Sequence, residues 1–139
     1  MERVPVLKLG DVLLVSIQFD LEDEVALALQ ADLADKIVAS GARGVLVDIS
    51  GLEIVDSFIG RVFADIAATA SVLDAETVVV GMRPAVAITL VDLGLSLGSV
   101  RTALNVEKGL RILRRDLGLR AAEDLDAISS GASAPDATG

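Results

Sequence analysis

Short apolar runs alternate along the chain with longer segments whose apolar residues recur every three or four positions. The runs are rich in valine, leucine and isoleucine and predict strands at 4–9, 12–19, 44–50, 76–82 and 99–104. The longer segments predict helices at about 20–40, 57–73, 84–94 and 106–117. Strands that alternate with helices indicate an α/β fold of order β-β-α-β-α-β-α-β-α, with helices packed on a mixed, mostly parallel sheet.

Turn and cap residues mark the ends of these elements. Gly10 and Asp11 give a hairpin signal between the first two strands. Gly41 is placed to end the first helix, and Pro84 to begin the third, because glycine readily adopts the left-handed conformation and proline fits a first helical turn. Asn105 precedes the last helix, where its side chain can cap free amide groups.

The chain has 139 residues, which is the length of one domain. Its last part, 119–139, contains serine, glycine, alanine and proline, with four acidic residues against one arginine and few large apolar residues. Such a composition cannot form a core of its own. We therefore expect one domain at 1–118 followed by a disordered acidic tail at 119–139.

The composition excludes several kinds of chemistry. Without histidine or cysteine the chain has no imidazole base, no thiolate nucleophile and no zinc–thiolate site. The net charge of −9, with three phenylalanines and no tryptophan or tyrosine, argues against nucleic-acid binding. No apolar stretch approaches the ~20 residues of a membrane span, and no signal peptide is evident, so we expect a cytoplasmic protein. A glycine-rich phosphate loop is also missing from the sequence. The chain is thus expected to be acted upon rather than to be an enzyme, with no metal or cofactor.

The segment around Asp56 and Ser57 carries the most information. A buried strand ends, a short loop follows, and this acidic–hydroxyl pair stands at the start of the second helix. A phosphate on Ser57 would lie beside free backbone amides at the positive end of the helix dipole, and its charge would form a binding switch. The alternative is that one of the two residues is an ordinary helix cap.

The next residues, Phe58, Ile59 and Gly60, are candidates for contact with a partner. Phe58 falls at the edge of the apolar stripe, so it either contacts a partner beside Ser57 or packs under the preceding loop. Gly60 belongs to a face of small residues that permits close approach of another subunit, or that reflects the helix propensity of alanine.

Other polar residues have simpler interpretations. Asp48 interrupts an apolar strand near its carboxyl end and is expected to cap the following loop, although a receiver-type phosphoacceptor also uses such a position. Thr89 can bond to a backbone carbonyl within its helix. The acidic residues of 20–24 suit a solvated helix start and do not match a calcium loop. The basic residues of the last helix suit its carboxyl end or an acidic partner; they are Lys108, Arg111, Arg114 and Arg115.

The element order, with Asp-Ser after the third strand, resembles the STAS domain of anti-sigma-factor antagonists. The resemblance covers about 4–118 and is greatest to stressosome scaffold proteins of the RsbS type. Four blocks carry it: Pro5-Val6-Leu7-Lys8-Leu9, Leu13-Leu14-Val15-Ser16-Ile17-Gln18, Asp56-Ser57-Phe58-Ile59 and Pro84-Ala85-Val86-Ala87-Ile88-Thr89-Leu90. Simple antagonists usually carry a small residue and glycine after Asp-Ser, so Phe58 and Ile59 favour the scaffold branch.

The resemblance implies a regulatory protein that sequesters a switch serine/threonine kinase and releases it when the kinase phosphorylates Ser57, with Asp56 beside it as a further partner contact. It also implies Thr89 as a second, weaker candidate for phosphorylation. It also implies a paralogous STAS-domain partner with a sensor domain, a phosphatase that resets the switch, and a large homo- and hetero-oligomer. Two alternatives stay open at this point. One is a direct anti-sigma-factor antagonist, and the other is a receiver-like, Mg²⁺-dependent phosphoacceptor that uses Asp48 or Asp56.

Overall fold

A computed structural model describes residues 4–18, 21–92 and 100–116. Its elements are β1 (Val6–Leu9), β2 (Val12–Ser16), α1 (Asp23–Ser40), β3 (Gly44–Asp48), α2 (Ser57–Val72), β4 (Glu76–Val80), α3 (Pro84–Asp92), β5 (Arg101–Ala103) and α4 (Val106–Asp116). The predicted order of strands and helices is therefore confirmed.

The strands form one five-stranded sheet in the order β1-β2-β3-β4-β5. The hairpin makes β1 antiparallel to β2, and each later strand is parallel to its neighbour. Gly10 has a φ of 62° in the hairpin turn, and Gly41 has a φ of 70° where α1 ends. Both are left-handed conformations that glycine adopts without a steric penalty.

The strands are shorter than the sequence pattern predicts. Strand β3 was expected to run to residue 50, but it ends at Asp48, whose Oδ1 accepts a hydrogen bond from the Ser50 amide at 2.9 Å. The Ser50 amide therefore bonds to a side chain and not to a neighbouring strand. The predicted helix ends at Gly94 and Gly118, and the predicted tail at 119–139, lie outside the described residues.

Helices cover the two faces of the sheet unequally. The larger core joins one face to α1, α2 and α3, with residues such as Leu33, Phe63 and Val86. The smaller core joins the other face to α4 through Leu113. Because α4 packs on β3, β4 and β5, the β1 residues Leu7 and Leu9 on that face are exposed.

Gly109 sets how closely α4 lies on the sheet. A Cβ atom at this position would stand 2.6 Å from methyl carbons of Leu46 and of Val80. Glycine therefore lets the helix backbone approach the strands directly. Asn105 precedes α4 and caps it, as the sequence predicts: its Oδ1 accepts a hydrogen bond from the Lys108 amide at 2.9 Å.

Candidate functional site

The loop between β3 and α2 positions the candidate site and is held from inside and outside. Leu52 and Val55 are buried in the larger core. From the outside, the Nε of Arg83 donates a hydrogen bond to the Ser50 carbonyl at 3.1 Å. These contacts, which come from both sides of the loop, fix the path of the chain into α2.

Asp56 is the N-cap of α2. Its backbone is extended, with φ −114° and ψ −176°, and its Oδ1 accepts a hydrogen bond from the Ile59 amide at 3.0 Å. The sequence left open whether Asp56 or Ser57 caps this helix, and the structure assigns that role to Asp56. Ser57 is then the first residue inside the helix.

Ser57 presents its hydroxyl to solvent at the amino end of α2. The first amides of a helix have no partner within it. Asp56 accepts from the Ile59 amide, which leaves the amides of Ser57 and Phe58 available to an anion beside the Ser57 side chain. The arrangement can therefore hold a phosphate close to the residue that would carry it.

The other predicted contact residues differ in exposure. Phe58 is half-buried and packs against the larger core while keeping part of its ring at the surface. Ile59 and Gly60 are buried. Together with Asp56, Phe58 thus provides surface next to Ser57, whereas Ile59 and Gly60 lie behind that surface.

Two features of the surface were not found from the sequence. Ile54 is 74% exposed in the loop before Ser57, flanked by the buried Leu52 and Val55. Arg83 lies 3.8 Å from the Glu53 carboxylate in an exposed ion pair, in addition to its bond to the loop. Residues 52–55 are buried, exposed, exposed and buried in turn, so neither strand alternation nor a helical stripe identifies Ile54 from the sequence. No local pattern brings Arg83 to this loop.

The remaining candidate residues have structural roles. Asp48 caps the loop after β3, as predicted. The Thr89 hydroxyl donates a hydrogen bond to the Ala85 carbonyl at 2.9 Å, also as predicted. Within the described ranges, no group of three or more acidic, histidine or cysteine side chains is arranged to hold a metal ion. No helix within those ranges is long and apolar enough to cross a membrane.

Known proteins with a similar sequence or structure identify the family. The STAS domain family matches residues 3–109. A serine-to-glutamate variant of RsbS from Moorella thermoacetica is 40% identical, covers 81% of this chain and 95% of its own, and superposes with a TM-score of 0.71. A chain from a structure of the stressosome, described as a signal integration and transduction hub, is also 40% identical, with a TM-score of 0.71 and coverage of 80% and 96%.

A curated relative is similar over a shorter stretch. The RsbT co-antagonist protein RsbRA of Bacillus subtilis is 28% identical over 91 residues, which are 66% of this chain and 33% of the relative. The chain thus spans about a third of the length of that protein. From its fold, its Asp-Ser site and these matches, the chain belongs to the STAS domain family and is similar to its RsbS-type members.

Proposed function

We propose that the chain is a stressosome-type scaffold that holds a switch serine/threonine kinase and releases it when that kinase phosphorylates Ser57. One observation carries the proposal: an exposed hydroxyl stands at the first position of α2, beside two helix amides that Asp56 leaves unoccupied. The similarity to RsbS and to a chain of the stressosome supports it. No observation favours the receiver-like alternative at Asp48, whose carboxylate is used in the loop.

The modification is a phosphoryl transfer from ATP bound to the kinase. The Ser57 oxygen forms a bond to the γ-phosphorus, the bond from that phosphorus to the bridging oxygen of ADP breaks, and the hydroxyl proton is lost. The kinase supplies Mg²⁺ and the catalytic groups. This chain contributes an accessible hydroxyl on a fixed helix end.

Phosphorylation changes the charge of a small surface. A phosphate brings about −1.5 to −2 charges to Ser57. It would stand beside Asp56, on a surface that also presents Ile54 and Phe58. A partner that packs against these apolar side chains has to desolvate the new charge, so it binds the phosphorylated form weakly.

The proposed contact surface consists of Ile54, Asp56, Ser57 and Phe58, with Ile59 and Gly60 supporting it from behind. A phosphatase would restore the unmodified hydroxyl. In the assembly, the chain would pair with copies of itself and with paralogous STAS-domain proteins that carry a sensor domain. RsbRA, a co-antagonist of RsbT, is similar to this chain over a third of its own length. We place the protein in the cytoplasm.

Intact-mass measurement after incubation with the candidate switch kinase and Mg-ATP tests the acceptor. Wild type should gain one phosphate and Ser57→Ala none. Ser50→Ala is the matched control, because Ser50 is an exposed serine on the same loop, and Thr89→Ala tests the second candidate. Both control variants should be phosphorylated like wild type. Phosphorylation of Ser57→Ala, or none of wild type by a kinase active on another substrate, would contradict the assignment.

Binding of the kinase tests the switch. Ser57→Ala should bind the kinase as unmodified wild type does, and it should stay bound when ATP is added. Ser57→Asp should bind weakly because it carries part of the phosphate charge. Equal kinase affinity of the two variants would refute the release mechanism while leaving the acceptor assignment intact.

A further inference from the structure

Arg61 lies one turn of α2 beyond Ser57, on the same side of the helix. Both residues are exposed, whereas Ile59, Gly60 and Val62 of the same turns are buried. Residues four positions apart are neighbours on a helix surface, with Cβ atoms about 5–6 Å apart. The side chain at position 61 is therefore adjacent to whatever group position 57 carries.

The direction of the Arg61 side chain and its lack of a partner make it available to that group. On a helix the Cα–Cβ bonds tilt toward the amino end, so a long side chain covers the turn that precedes it. For Arg61 this turn begins at Ser57. Among the residues that the structure describes, the Arg61 guanidinium has no ion pair or hydrogen bond, in contrast to Arg83, Arg101 and Arg111.

The charge pattern of α2 favours an anion at its first position. The sequence of Ser57–Val72 contains two charged residues, Arg61 and Asp65. A helix pair in which the cation precedes the anion, as in Arg61 and Asp65, is the weaker orientation. An anion at 57 with the cation at 61 has the stronger orientation, because both charges then suit the helix dipole.

We propose that Arg61 binds the phosphate of phosphorylated Ser57 within the same helix. The inference rests on the proposed function, since the phosphate on Ser57 is itself proposed, and it adds the side chain that holds the phosphate. A planar guanidinium presents two parallel N–H donors that match two phosphate oxygens. The phosphate is then bound between the amides of Ser57 and Phe58 and a side chain of the next turn.

The pair determines the charge that the switch presents. A phosphoserine has a second pKa of about 6, so its average charge at pH 7 lies between about −1.5 and −2. A neighbouring cation favours the doubly charged form and lowers that pKa, whereas the neighbouring carboxylate of Asp56 acts in the opposite direction. Because an arginine side chain is charged at every physiological pH, Arg61 offsets the effect of Asp56. Phosphorylated Ser57 thus keeps nearly its full charge at neutral pH.

Phosphoserine inserted at position 57 during translation tests the pair without any kinase. Four proteins form a cycle, with serine or phosphoserine at 57 and arginine or glutamine at 61. The phosphate should shift the unfolding equilibrium in urea toward the folded state more in wild type than in Arg61→Gln, by a factor of about two to five. Without the phosphate, Arg61→Gln should have the urea midpoint of wild type, because Arg61 is exposed and has no partner among the described residues.

A pH titration followed by phosphorus NMR gives a second readout, which a general change in stability does not move. The second pKa of the phosphoserine should be lower in wild type than in Arg61→Gln. Arg61→Lys should give an intermediate value, because lysine keeps the charge but lacks the planar fork. Arg111→Gln is the matched control and should titrate like wild type, since it removes an exposed helical arginine from α4, on the other face of the sheet.

Three results would overturn the proposal. These are an equal effect of the phosphate on stability in wild type and Arg61→Gln, an unchanged phosphoserine pKa in Arg61→Gln, and a pKa that rises only in Arg83→Gln. The last result would assign the phosphate to the arginine that contacts the preceding loop. A switch kinase that fails to phosphorylate wild type would instead contradict the proposed function and leave this cycle unaffected, because the phosphoserine is inserted during translation. The two proposals therefore fail separately.

Discussion

Removing the carboxylate of Asp56 tests the helix start on which the candidate site is built. In Asp56→Ala, the Ile59 amide loses the acceptor that it now has at 3.0 Å. Loss of a helix cap typically lowers the free energy of unfolding by about 1 kcal/mol. With a urea dependence of roughly 1.5–2 kcal/mol/M, the unfolding midpoint should fall by about 0.5–0.7 M. Far-UV circular dichroism is the appropriate probe, because the chain lacks tryptophan and tyrosine.

Asp56→Asn is the matched control for this experiment. Asparagine keeps a side-chain oxygen that can accept from Ile59 and removes only the negative charge at the helix end. Its free energy of unfolding should stay within about 0.5 kcal/mol of the wild-type value, so its urea midpoint should stay close to that of wild type. If Asp56→Ala were as stable as wild type, the cap would not stabilise the helix. If Asp56→Asn were as unstable as Asp56→Ala, the charge rather than the hydrogen bond would be responsible.

Three further substitutions test the packing around the site and the sheet. Gly81→Ala should lower the free energy of unfolding by about 1–3 kcal/mol, measured in urea, because φ is +78° and the new Cβ would stand 2.9 Å from the Ser50 Cβ. Leu113→Ala should cost about 2–4 kcal/mol in the same assay, because this buried side chain anchors α4 to the sheet; a cost below about 1 kcal/mol would contradict that role. Arg83→Gln should leave global stability within about 1 kcal/mol but speed amide hydrogen exchange in 50–55; unchanged exchange there would show that Arg83 does not hold the loop.

The local pattern of the sequence predicted much of the fold. The stripe of Ala26, Leu29, Leu33 and Ile37 was expected to be buried, and all four residues are in the larger core. The period of 3.6 residues makes such a stripe face one side regardless of the rest of the chain. The hairpin at Gly10 was predicted for a similar reason, because its conformation depends on the local residue type.

The sequence did not determine which face of the sheet α4 covers. Helices α1 to α3 connect parallel strands, and right-handed crossovers place them on one face. Helix α4 follows the last strand and has no such constraint. Gly109 lets α4 pack directly against Leu46 and Val80, but the sequence alone does not show that these residues are its neighbours.

The candidate site was predicted only in part, because some of its contacts are local and others join distant residues. The start of α2 at Ser57 follows from the Asp-Ser pair, which has strong local preferences at a helix end. The choice of Asp56 as the cap depends on one hydrogen bond, and the contact of Arg83 with Ser50 joins residues that are 33 positions apart. Local sequence preferences do not predict a contact between residues so far apart in the chain. The partners of Ser57 stay predictions.

The loop between β3 and α2 is held from both sides, and this affects how binding affinity at the proposed contact surface can be controlled. Leu52 and Val55 on the inside and Arg83 on the outside hold the loop before any partner arrives. A partner that binds a preorganised surface loses little free energy in ordering it. A difference in affinity between two charge states of Ser57 would then arise from electrostatics rather than from folding of the loop. Such a difference should shrink as ionic strength rises and screens exposed charges, whereas a switch based on loop order would be far less sensitive to salt.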